Sequence, residues 1–136
     1  MTSSSFILSA AVKILGDILS LDSDIREHVQ TFLENNGLDL LSRILSENQD
    51  DKGLTIDTLW ALSNLAADSA SSALTILQHQ DIFTTFHSIL TSPRPPQVRK
   101  ETIIVISNVL TNIPAPTVKE VIHQNQELVR AYFEGL

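Results

Sequence analysis

Residues 54–68 separate apolar from polar positions at helical spacing. Drawn at about 100° per residue, Leu59, Leu62, Leu65 and Ala66 fall on one side, and Asp57, Trp60, Asn64 and Asp68 fall on the other. The pattern predicts a helix that packs on one side and holds something extended on the other. Trp60, the single Trp of the chain, stands in the polar stripe one turn before Asn64. Helical spacing continues on both sides of this stretch. Residues 6–20 carry it through Ile7, Ala11, Ile14, Leu15 and Ile18. Residues 24–34 follow a cap signal, Asp22-Ser23-Asp24, and stop at Asn35-Asn36-Gly37. A short helix over 38–46 runs into a polar stretch, 47–53. Beyond the central helix, 70–79 and 82–91 form a pair broken at Gln80-Asp81. A proline-rich connector, 92–96, leads to a helix over 97–112. Ile113-Pro114-Ala115-Pro116 then opens the last pair, 117–124 and 127–135. No stretch alternates as a strand does.

The helices repeat. Ile14-Leu15-Gly16-Asp17-Ile18-Leu19, Ala61-Leu62-Ser63-Asn64-Leu65-Ala66 and Val105-Ile106-Ser107-Asn108-Val109-Leu110 superpose. Asp17 and Asn64 are 47 positions apart, and Asn64 and Asn108 are 44 apart. Each unit alone would leave an apolar face bare, so neighbours must stack. A period in the forties with three helices points to an all-α, armadillo-type right-handed α-solenoid of about three repeats, partial at both ends. The reading is one domain, 1–136, with a partial repeat at 6–21, repeats at 22–68 and 69–112, and a partial repeat at 113–136.

Composition narrows the partners. Sixteen Asp and Glu against nine Lys and Arg give a formal charge of −7, which repels phosphate backbones and favours basic partners. Nucleic acid is therefore not expected. An apolar fraction of 43% with only 5% aromatics suits packed helices. The absence of Cys leaves no disulfide frame, thiolate or zinc cluster, and makes an intracellular site the default. Lys13 and Asp17 interrupt residues 6–19, which are neither a signal peptide nor a membrane span.

The polar stripe has a chemistry of its own. A side-chain amide offers a donor and an acceptor, so a row of Asn can hold an extended peptide backbone without reading its sequence. A Trp face beside the Asn takes the stem of a Lys or Arg and attracts its cation. Carboxylates one turn earlier select for positive charge. Across the repeats the Asn position holds Asp17, Asn64 and Asn108, and the Trp position holds Lys13, Trp60 and Ile104. Three residues before the latter come Ala10, Asp57 and Glu101, and Thr111 follows Asn108 by three.

Trp60-Ala61-Leu62-Ser63-Asn64 resembles the Trp-x-x-x-Asn motif on the third helix of importin-α armadillo repeats. Gly16-Asp17-Ile18 with the acids at 22 and 24 resembles the later repeats of that family. So do Asp81-Ile82-Phe83 through Ile89-Leu90, and Val98-Arg99-Lys100-Glu101 ahead of Ser107-Asn108. The similarity runs over roughly residues 10–136. It implies a nuclear-import adaptor, in cytoplasm and nucleus, that binds basic, nuclear-localisation-signal-like cargo peptides in a concave groove. The peptide-contacting roles carry over best to Trp60, Asn64 and Asn108, and next to Asp57, Glu101 and Thr111, with Asp17 at the equivalent first position. Ile104 departs from the motif by offering no aromatic face, Asp17 by losing the amide donor, and Lys13 by repelling a cation. No basic arm precedes the first helix, so importin-β binding is not expected, while the open solenoid ends are candidates for self-association. The alternative is an armadillo scaffold or protein-interaction module without nuclear-localisation-signal binding.

The remaining features carry no chemistry. His28, His79, His87 and His123 lack paired ligand spacing, so no metal is expected. Pro93-Arg94-Pro95-Pro96 reads as a connector, and 47–51 as a solvated acidic loop. Four scattered Gly cradle no phosphate, and no Ser, His and Asp set assembles, so neither a cofactor nor an enzyme is expected.

Overall fold

The computed structural model describes residues 3–20 and 26–136, and the side chains of 8–17 and 29–136 within them. Among the described residues there are nine helices and no strand: α1 (Ser3–Ser20), α2 (Arg26–Glu34), α3 (Gly37–Glu47), α4 (Lys52–Asp68), α5 (Ala70–Leu77), α6 (Gln80–Thr91), α7 (Pro96–Asn112), α8 (Ala115–Gln124) and α9 (Gln126–Gly135). The all-α class is as expected. The Asp22-Ser23-Asp24 signal lies outside the described residues. Side-chain caps set the starts of α4, α5 and α6. Asp51 caps α4 by accepting from the Leu54 N–H at 3.1 Å, and Ser69 caps α5 by accepting from the Ser72 N–H at 3.1 Å. The break expected at Gln80-Asp81 falls instead at Gln78 and His79. His79 Nδ1 accepts from the Ile82 N–H at 3.3 Å, which draws Gln80 and Asp81 into the first turn of α6. At the α2–α3 turn, Asn36 and not Gly37 takes the left-handed conformation, with φ 62°. Gly37 serves packing, because the Phe32 ring occupies the space a Cβ would fill.

α1, α4 and α7 lie side by side in one row, and α3, α6 and α9 in a second. α5 bridges α4, α6 and α7. The main core runs between the rows through Leu41, Leu45, Leu54, Leu59, Leu62, Leu65, Ile82, Phe86, Val105 and Val109, all at most 1% exposed. A smaller cluster, Ala73, Ile113 and Val121, lies under α8. α1 is rotated from its expected phase. Val12 and Gly16 face inward with Leu8 and Leu15 beside them, whereas Ala11 is exposed and Ile14 is 60% exposed. The rotation brings the one residue without a side chain against the bulkiest residue of α4. The loop over 47–51 is also more than a solvated run. Asp51 is the α4 cap, and Gln49 accepts from the Arg94 guanidinium through its backbone carbonyl, at 3.3 Å, and its side-chain Oε1. That pair ties the proline-rich α6–α7 connector to the α3–α4 loop. Among the described residues no helix is long and apolar enough to cross a membrane.

A polar stripe across three helices as the candidate functional site

α4 splits as its periodicity requires. Leu59, Leu62, Leu65 and Ala66 are completely buried, whereas Asp57, Trp60, Asn64 and Asp68 are half-buried. Half-burial of the polar side has a specific origin, because α1 covers it. The Trp60 indole lies across Gly16, where a Cβ would stand 2.5 Å from Cε3 and Cζ3. Asn64 Nδ2 donates to the Gly16 carbonyl at 3.1 Å, and Asp57 accepts from Ser9 Oγ at 3.0 Å. Three of the expected peptide contacts therefore join α4 to α1.

The α4–α7 joint repeats the bond. Asn108 Nδ2 donates to the Ser63 carbonyl at 3.1 Å, and Asn112 Nδ2 donates to the Ala66 carbonyl at 3.2 Å. For Asn64 and Asn108 the amide reaches the carbonyl one residue before the aligned position of the preceding unit: Gly16 before Asp17, Ser63 before Asn64. The structure thus brings Asn64 and Asn108 into one ladder, whose first carbonyl belongs to Gly16, next to Asp17. Asp17 itself is exposed. Glu101 is half-buried, with no hydrogen bond or ion pair among the described residues. Thr111 is exposed and donates to its own helix at the Ser107 carbonyl, 2.7 Å away. Neither is bonded into the ladder. The neighbouring helix thus takes one of the two N–H donors of each Asn.

Sequence reasoning missed Ser9, Gly16, Ser63 and Asn112. A signal was present for most of them, since a small residue precedes each ladder position and Asn112 lies one turn beyond Asn108. Among the described residues no group of three or more His, Asp or Glu is placed to hold a metal ion.

A family model described as Npa1: Ribosome 60S biogenesis N-terminal matches residues 1–136. The chain belongs to the Npa1 family. No curated protein matches the chain. Membership in the Npa1 family over the whole chain overturns the importin-α resemblance, and with it the nuclear-import adaptor that binds localisation signals. The physical reason lies in the two joints. Trp60, Asn64 and Asn108 carried the resemblance, and stacking one helix on the next gives each of them a use that needs no cargo peptide. Of the two compartments expected, the Npa1 description supports the nucleus and lends the cytoplasm nothing.

Proposed function

We propose that the chain is a nuclear scaffold of stacked helical repeats that holds proteins together during assembly of the 60S ribosomal subunit. The process comes from the family description. The stack is read as an armadillo-type right-handed solenoid, with full units at 22–68 and 69–112 and partial units on either side. The observation that carries this reading is the bond made twice, Asn64 to Gly16 and Asn108 to Ser63, at one offset from the aligned positions. Equal offsets mean that each unit is set on the last by a similar step, and such stacks present long surfaces to other chains. The formal charge of −7 favours basic proteins over RNA as the partners held.

The test is co-sedimentation of the tagged chain with precursors of the 60S subunit from nuclear extract, before and after ribonuclease. The expected result is co-sedimentation, with a set of proteins that stays on the chain after the RNA is digested. Failure to enter the precursor fractions, or loss of every bound protein with the RNA, overturns the reading.

A further inference from the structure

We propose that the cleft between the α5–α6 and α8–α9 pairs receives a short segment of a partner protein in which an apolar side chain stands next to a lysine or arginine. The inference rests on the scaffold reading and gives it a surface. None of the seven stripe residues lines this cleft. It has two openings, of about 470 and 420 Å³, which share Gln80, Phe83, Gln124 and Asn125. Each falls in the size range of sites that enclose a ligand. The cleft exists because α8 buries only Val121, which packs with Ala73 and Ile113 and the edge of Phe83, and leaves the rest of the helix standing off α6.

Phe83 forms the floor. It is half-buried, belongs to the edge of both core clusters, and has its ring centroid 5.9 Å from that of Phe86. A rigid aromatic ring at the bottom of an open cleft suits an apolar anchor. Gln78, Gln80 and Gln126 stand on the walls, and their amides make no hydrogen bond among the described residues. They offer donors and acceptors to the main chain of whatever enters.

Charge selects the class of partner. Glu120 and Glu127 line the cleft, His87 Nε2 lies 3.9 Å from Glu127 Oε2, and no Lys or Arg lines it. Lys119 and Arg130 stand outside the lining. Helix ends do not reverse this sign. The N-termini of α6 and α9 and the C-termini of α5 and α8 meet here, at about half a charge each, and they cancel. A phosphate backbone would face two carboxylates with no cation to neutralise it. A lysine would meet one carboxylate in either opening, Glu127 in the first and Glu120 in the second.

The probe is a short fluorescein-labelled peptide of alternating leucine and lysine, followed by fluorescence anisotropy against the whole chain. The expected result is binding that weakens with salt, no binding of the same peptide with glutamate for lysine, and no competition by a single-stranded RNA oligonucleotide. Glu127→Lys and Phe83→Leu should each weaken it about tenfold, with circular dichroism confirming the fold. Asp50→Lys, an equal charge change on the exposed α3–α4 loop, should leave it unchanged. Equal weakening by Asp50→Lys and Glu127→Lys, binding of the glutamate peptide, or competition by RNA overturns the cleft. So does the absence of peptide binding. If the unmodified chain still co-sediments with 60S precursors in those cases, the scaffold reading survives without the cleft. Peptide binding at the cleft without co-sedimentation keeps the cleft and removes the role in ribosome assembly.

Discussion

At the α1–α4 joint an indole lies across a glycine, while at the α4–α7 joint Ile104 holds the Trp position and a second amide does the fastening. Ile104 is 36% exposed and has no aromatic face to lay on its neighbour. Asn112 adds a bond to Ala66, and at the first joint Trp60 and the Ser9–Asp57 bond stand in its place. Each joint thus carries two hydrogen bonds between helices, and the first adds the close fit of an indole on a glycine. Shape is intolerant of added atoms, and hydrogen bonding is intolerant of lost ones.

Substitutions can break or sharpen this difference, and urea unfolding reads each of them. Leu62→Ala acts beneath both joints, on a completely buried side chain, and should cost about 2–5 kcal/mol. A cost below that range would mean the core under α4 can collapse around the loss. Next comes the double variant Asn108→Ala with Asn112→Ala, expected to cost about 2 kcal/mol against about 1 kcal/mol for Asn64→Ala. Equal costs for the two would erase the contrast between the joints. Gly16→Ala should lose about 1–2 kcal/mol net, since crowding against Trp60 outweighs the helix propensity gained. In a Trp60→Ala background the same change should be neutral or stabilising, and a gain in both backgrounds would show that the ring simply swings aside. Thr111→Ala, on an exposed hydroxyl that bonds only its own helix, should stay within about 0.5 kcal/mol. A larger loss would give Thr111 a part in the joint.

The candidate site was legible as a pattern and not as a purpose. The spacing of Trp60, Asn64 and Asn108 picked out residues that do act together, and it placed Leu62 and Trp60 on opposite sides of α4 as found. It also led to an import adaptor, which membership in the Npa1 family corrects. Nothing in the stripe distinguishes an amide that meets a ligand from one that meets the next helix. The α6–α8–α9 cleft gave no warning at all, because its lining comes from residues 74–87 and 117–128, which no single periodicity links.

By itself the sequence determined the nine helices among the described residues, to within two or three residues at the ends compared, and the spacing of 44 to 47 positions between like segments. Both follow from interactions within a helix or at its caps, which are local along the chain. The tertiary structure alone decided the rotation of α1, the docking of Trp60 on Gly16, the Asn rungs and the opening beside α8. Those depend on which carbonyls and side chains a neighbouring helix presents. A polar stripe has the same spacing whether water, a partner or an adjacent backbone faces it, so only packing chooses among the three.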